Sequence, residues 1–233
     1  MNIYLHPSGV KKELKNDYIG EYKWWEPWSN TLVYYPLNWN ANDLSWNWKN
    51  GTASNITWNS WWDRGCAYFN WNSYISVPSL WTNANITISF RMNSTENIVN
   101  WWDFIMIWGY VWSSNNAITL MTYSKKLNIQ TRTTNHNLDM VSTVNICDWI
   151  WHYITVIATW STAIWYIDWV SNVTNTNSYY TLPPLTNIRI WMHTWWSANK
   201  YTWYIDNMII ENRQRTAQEI QDYYNNTKSN YWL

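Results

Sequence analysis

The sequence predicts an all-β fold: a two-sheet antiparallel sandwich of jelly-roll type, closed by one short C-terminal helix. Three observations predict it. Short apolar-alternating runs recur between turn signals from Leu32 onward. About twelve strands at that spacing fit a sandwich or jelly roll better than any mixed fold. Only one helix start stands out, at Thr216. A length of 233 residues is enough for one such domain with its own core, plus a short appendage.

Residues 1–30 read as an N-terminal arm or linker. They concentrate charge in Lys11, Lys12, Glu13, Lys15, Asp17, Glu21, Lys23 and Glu26, and meet the main domain near Pro27. Tyr18-Ile19-Gly20 reads as a short strand within the arm. Residues 31–227 read as the jelly-roll domain and 228–233 as a tail. Within the domain, Tyr74–Val77 is a strand, and Ile86, Ile88, Phe90 and Met92 alternate onto one face of another. Strands follow over 104–107, 117–123, 127–132 and 153–159. Tyr166-Ile167 and Val170 flank a turn at Asp168-Trp169. Ile188, Ile190 and Met192 mark the next strand, and 204–211 the last long one. Thr216-Ala217-Gln218-Glu219 then spells a capping box, in which the hydroxyl and the carboxylate each bind the other's backbone N–H. Ile220 and Tyr223 or Tyr224 share one face of the helix, and the chain after Asn225 should fray.

The composition is inverted in one respect. The chain holds 25 Trp and 5 Gly, where average usage would give roughly sixteen glycines. Four tryptophan pairs occur, at Trp24-Trp25, Trp61-Trp62, Trp101-Trp102 and Trp195-Trp196. Many other tryptophans follow Asn, Asp or Ser, as in Asn38-Trp39, Ser45-Trp46, Asn47-Trp48, Asn70-Trp71 and Asp168-Trp169. These are turn positions that demand positive φ, which glycine reaches freely and tryptophan does not. Read as Asn-Gly and Asp-Gly, Asn38-Trp39 and Asp168-Trp169 become strong hairpin signals. The pattern implies a gene in which UGA encodes glycine and has been read as tryptophan. The richness in Asn, Ile, Tyr and Lys fits an AT-rich gene of that kind. The alternative is a real aromatic surface that stacks on sugars. Trp151 and Trp28 read as genuine tryptophans, and Trp58 stays open.

Net charge is zero, 13% of residues are charged, and no basic block occurs, which excludes nucleic acid as an expected partner. No apolar stretch approaches the roughly 18 residues of a membrane span. Met1 to Gly20 shows no signal-peptide core. An intracellular location, export or release by another route, a fragment and a virion component all fit that N-terminus. Cys66 and Cys147 read as two buried thiols, with a disulfide as the alternative.

Five segments, in order, resemble one family. With Trp read as Gly, residues 34–52 look like the opening of a LamG-like domain of the concanavalin A-like lectin/glucanase superfamily. Residues 67–78 resemble its second strand pair, and Asp148-Trp149-Ile150-Trp151-His152-Tyr153 its Asp-Gly-x-Trp-His motif. Tyr166 to Val170 resembles its Tyr-Ile-Asp-Gly hairpin, and Trp203 to Asn207, Asn212-Arg213 and Thr216 to Ile220 its closing strand and helix. The resemblance covers roughly residues 32–225. Where it departs from the family is glycine itself, since most of the family's glycines stand here as tryptophans.

The superfamily includes glucanases, which need two carboxylates flanking the scissile bond. Between Gly51 and Ile210 there is one glutamate, Glu96, in a polar stretch, and Asp63, Asp103, Asp139, Asp148, Asp168 and Asp206 fall mostly in turns. No Gly-x-Ser-x-Gly elbow and no metal-spaced Cys/His cluster occurs. His6, His136, His152 and His193 are scattered, and His152 reads as a satisfied core or edge histidine. No catalytic residue is assigned, and the chain reads as a non-enzyme. The resemblance does imply a structural Ca²⁺ where first and last strands meet, held by Asp43 and Asp206, with two hydrogen-bonded turn or edge aspartates as the alternative. Tyr110, Tyr123, Tyr179 and Tyr180, with Asn115, Asn116, Asn135 and Asn137, could face a sugar or could pack the sheets. The expected function is recognition of a glycan or cell-surface protein, by a chain that is extracellular, at a cell surface or in a virion. A structural or receptor-binding part of a phage tail or surface appendage is the second reading, and a glycoside hydrolase the third.

Overall fold

The computed structural model describes residues 4–5, 11–12, 30–61, 64–70, 72–81, 85–94, 104–108, 117–123, 125–132, 137–159, 161–176, 188–193 and 203–228. In the arm, β1 (Tyr4–Leu5) and β2 (Lys11–Lys12) pair antiparallel. The chain continues through β3 (Thr31–Tyr35), β4 (Thr52–Ser54), β5 (Thr57–Trp61), β6 (Arg64–Phe69), β7 (Tyr74–Val77) and β8 (Ile86–Ser94). Next come β9 (Phe104–Trp108), β10 (Ala117–Tyr123), β11 (Lys126–Arg132), β12 (Asn137–Asn145) and β13 (His152–Ala158). β14 (Ala163–Ile167), β15 (Val170–Asn175), β16 (Ile188–His193), β17 (Trp203–Glu211) and α1 (Ala217–Thr227) complete it. The expected strand at residues 18–20 and the tryptophan Trp28 lie outside the described residues.

Among the described residues the fold is an antiparallel β-sandwich with one helix. The large sheet runs β15-β14-β13-β8-β17-β6-β5, and β3 also pairs with β17. A second sheet runs β4-β7-β16-β9, and β10-β11-β12 form a third. One core lies between them. Phe90, Ile154, Val156 and Ile205 of the large sheet meet Ile75, Val77, Ile188 and Ile190 of the second, with Leu120, Leu127 and Met140 of the third. Period-2 alternation sends these side chains inward, and their burial is the main force holding the sheets together.

β8 departs from a simple in–out strand. Its Ile86, Ile88, Phe90 and Met92 enter the core as expected, but Thr87, Ser89, Arg91 and Asn93 are buried too. The segment after β17 and helix α1 cover that second face. Thr87 Oγ1 donates to the Arg213 carbonyl at 2.7 Å and accepts from the Arg215 N–H at 3.1 Å. Arg91 donates to Thr227 Oγ1 and lies over the Tyr153 ring, 5.2 Å from its centroid. Tyr153 stacks on Tyr223 at 5.0 Å. Around them Tyr34, Ile157, Tyr166 and Ile209 pack against Ile220. The helix therefore does not fray after Asn225, because Thr227 is buried and its hydroxyl binds both Arg91 and the Tyr223 carbonyl.

The capping box is present. Thr216 Oγ1 accepts from the Glu219 N–H at 3.2 Å, and Glu219 Oε2 accepts from the Thr216 N–H at 2.6 Å. Thr216→Ala should cost about 1 kcal/mol and lower the melting temperature by roughly 2–4 °C. A calorimetric scan showing no change would mean that Arg213, which also binds Glu219, holds the helix start without the cap.

The turn at Asp168-Trp169 is the expected two-residue hairpin. Ile167 pairs with Val170, and both central residues have positive φ, 50° and 68°, the signature of a type I′ turn. Asn38-Trp39 is different. It lies inside a long loop, 36–51, between β3 and β4, and makes no two-residue hairpin.

Candidate functional site

Loop 36–51 is organised by one carboxylate. Asp43 Oδ1 accepts from the Tyr34 N–H at 3.0 Å and the Ser45 N–H at 2.8 Å. Its Oδ2 accepts from Ser45 Oγ at 2.9 Å and the Lys49 N–H at 3.0 Å. A carboxylate collecting backbone N–H groups in this way fixes a loop that has no regular ladder of its own. Leu37, Trp39, Trp46 and Trp48 all have positive φ within it. The loop also presses on β6, because a Cβ on Gly65 would sit 2.7 Å from Asn38 Cα, so only glycine fits there.

A second loop region, residues 146–151, leads into β13 and carries the expected Asp-x₃-His spacing. His152 is buried, with both ring nitrogens on carboxylates. Nδ1 lies 2.6 Å from Asp168 Oδ2 and Nε2 lies 3.0 Å from Asp148 Oδ1. Asp168 Oδ1 also accepts from the Tyr153 N–H at 2.8 Å, and Asp148 Oδ1 from the Ile150 N–H at 3.0 Å. Burial opposes the charged imidazolium, but the hydrogen bond and charge of Asp168, then those of Asp148, outweigh it and raise the His152 pKa above its usual 6.5. A general base needs a free ring nitrogen facing its substrate. His152 has none to offer, so it fastens the start of β13 to the β14–β15 turn.

The raised pKa has a definite sign in stability. The clasp contributes fully below the unfolded-state value near 6.5 and is lost as pH rises through the higher folded value. His152→Gln should therefore flatten the fall in stability on the alkaline side of pH 6.5. Urea melts of both proteins across that range check it, and parallel profiles would show that the imidazole stays neutral in the fold.

Asp206 sits on β17 opposite Arg91, just before a bulge at Asn207, whose φ is 49°. There β17 exchanges β6 for β3 as its partner. Asp206 is buried, and its two oxygens accept from the Asn207 N–H at 2.8 Å and the Asn207 side-chain amide at 3.3 Å. Asn207 Oδ1 in turn accepts from the Tyr34 hydroxyl at 2.9 Å. Tyr34 thus ties the two aspartates' surroundings together through its backbone and its phenol. The four donors around Asp43 are N–H and O–H groups. Among the described residues no group of three or more His, Cys, Asp and Glu side chains could share a metal.

Cys66 and Cys147 are both buried, and they do not form a disulfide with each other. Cys66 packs with Trp151, and burial, then the charge of Asp206, pushes its thiol up to about 12. The carboxylates Glu211, Glu219 and Asp222 also bind neighbours within the domain. Tyr110, Tyr179, Tyr180, Asn115, Asn116 and Asn135 lie outside the described residues, as do Asp63, Glu96 and Asp103. Tyr123 closes β10 and Asn137 opens β12.

Solved structures share this sandwich. The binding domain of Paraclostridial Mosquitocidal Protein 1 matches with a TM-score of 0.70 and 15% identity, over 85% of this chain and 52% of that one. Botulinum neurotoxin type C, described as entering cells through interaction with two ganglioside molecules, matches at 0.68 and 13%, over 85% and 51%. The binding domain of botulinum neurotoxin DC in complex with rat synaptotagmin II matches at 0.68 and 14%, over 85% and 52%. The likeness is one of fold. The chain spans about half the length of these neighbours. No protein-family model and no curated protein matches the sequence. No helix among the described residues is long and apolar enough to cross a membrane.

Proposed function

We propose that the chain is a non-catalytic recognition module of LamG-like, concanavalin A-type build. Its ligand is a glycan or a cell-surface protein, met by loops at one edge of the sandwich, outside the cell or on a virion. The observation that carries this reading is the likeness of its sandwich to a binding domain in complex with rat synaptotagmin II and to a neurotoxin whose cell entry depends on interaction with two ganglioside molecules. Two features support it. His152, the histidine with a described side chain, has both nitrogens engaged, and Asp148 and Asp168 are spent on holding it. Fold alone does not fix function, so the test is direct. Glycan-array binding that includes sialylated gangliosides, without release of reducing sugar, is the expected result. Turnover of any arrayed glycan would overturn the reading in favour of a hydrolase. A trimer or fibre on size-exclusion chromatography, with no glycan bound, would instead favour the appendage reading.

A structural Ca²⁺ at Asp43 and Asp206 is a separate proposal, supported by the family resemblance and opposed by the four donors around Asp43. A melting-temperature titration decides it, and an unchanged midpoint at millimolar Ca²⁺ removes it.

A further inference from the structure

We infer that residues 39, 46, 48, 149 and 169 are glycine in the protein its own cell makes, the gene's UGA codons having been read here as tryptophan. The inference does not depend on the binding reading. Among the described residues, ten other than glycine have positive φ, and five of them are tryptophan: Trp39 at 81°, Trp46 at 72°, Trp48 at 57°, Trp149 at 71° and Trp169 at 68°. The left-handed region brings the Cβ of an L-residue against the following carbonyl, and a bulky side chain is least suited to it. Asn and Asp, which account for three of the other five, are the residues known to tolerate it. The two described glycines show the reverse. Neither Gly51 nor Gly65 adopts positive φ.

Three further regularities hold for these five tryptophans. Each follows Asn, Ser or Asp directly: Asn38, Ser45, Asn47, Asp148 and Asp168. That is the order of an Asn-Gly or Asp-Gly turn. Each indole is turned to solvent, between 40% and 66% exposed, so packing does little to offset the backbone strain. By contrast Trp151, Trp165 and Trp203 are buried, and none has positive φ. Finally, four of these backbones do turn work that any side chain only hinders. Residue 169 completes the type I′ turn beyond Asp168, and the Trp149 N–H donates to the Ser94 carbonyl at 3.0 Å. Residues 46 and 48 let the chain curl so that Ser45 and Lys49 both reach Asp43.

A single decoding rule accounts for all five positions at once. UGA specifies tryptophan in one genetic code and glycine in another, and UGG specifies tryptophan in both. The consequence for function is specific. The exposed indoles of loop 36–51 and of the two turns beside His152 would be absent from the native surface, so they supply no stacking platform for a sugar ring. Recognition would rest on side chains that the five positions do not contribute.

The experiment is peptide mass spectrometry of the protein isolated from its own source, read beside the codons of its gene. Peptides spanning 36–51 and 145–176 should be lighter by one indolylmethyl-for-hydrogen exchange at each of the positions they hold, 39, 46 and 48 in the first and 149 and 169 in the second. Trp151, in the second peptide, should keep its tryptophan mass and a UGG codon. Tryptophan masses at the five positions, or UGG there, would overturn the inference. Glycine at some and tryptophan at others would overturn it as well, because one decoding rule cannot split them unless the codons differ.

Discussion

Replacing Trp39, Trp46, Trp48, Trp149 and Trp169 together by glycine should raise the melting temperature of the tryptophan-containing chain by about 10 °C. A non-glycine residue in the left-handed region costs ~1–2 kcal/mol. Glycine returns part of that, ~0.4–1 kcal/mol, as extra freedom in the unfolded chain. Roughly 0.5–1 kcal/mol remains per position, or about 3–5 kcal/mol for five positions that add approximately. At ~2–4 °C per kcal/mol for a domain of this size, that is about 10 °C. The exposed indoles give little back, since each is mostly in water. Trp151→Gly is the control. That ring is buried against Cys66 and Tyr204, and emptying its site should cost ~3–5 kcal/mol. Differential scanning calorimetry on the two proteins separates a positional effect from a general benefit of removing tryptophan. A five-fold variant that melts no higher than the parent would mean that the turns take their shape from something other than these backbones.

Much of the fold was legible because its signals are local. The Asp168-Trp169 turn, the alternation over 86–92 and the capping box at Thr216 each need only a few neighbouring residues, and each is present. β12 is not legible in the sequence because Asn137, Asp139, Ser142, Thr143 and Asn145 break any apolar alternation, and its place is set by pairing with β11. The second buried face of β8 was illegible for another reason. Arg91 and Thr227 lie 136 residues apart, and nothing near either names the other. At the site, His152 was readable as satisfied but its partners were not. Asp148 reaches it across a turn, and Asp168 arrives only because β13 and β14 pair with Ile154 opposite Ile167. The long loop around Asp43 looked like a hairpin because Asn38-Trp39 carries a hairpin's dipeptide. Four residues with positive φ and one carboxylate make it a longer excursion instead.

Glu211→Ala should cost about 3–5 kcal/mol and lower the melting temperature by roughly 10 °C, more than any surface ion pair could. Glu211 ends β17 and is buried, as is Arg215, four residues on. Its two oxygens accept from Arg213 Nε at 3.1 Å and from Arg215 Nε. Arg213 goes on to Glu219 in the first turn of α1, and Arg215 lies over the Tyr223 ring, 5.4 Å from its centroid. The carboxylate therefore joins the last strand to the helix that covers the second face of β8. Removing it takes from the buried Arg215 guanidinium the carboxylate it pairs with, and the penalty is mostly that of buried charge losing this partner. The double variant Glu211→Ala with Arg215→Met tests this cause. An apolar pair of similar volume should recover most of the loss, because a buried ion pair often adds little over hydrophobic packing once both charges are gone. A double-mutant cycle by urea denaturation measures the coupling. If the single variant loses less than about 1 kcal/mol, water reaches the Arg215 cation and the helix is held by Ile220 and Tyr223 packing on Tyr34, Tyr153 and Ile209. If the double variant is as unstable as the single, the damage comes from the lost tie to Arg213, and the strand end itself depends on that bond.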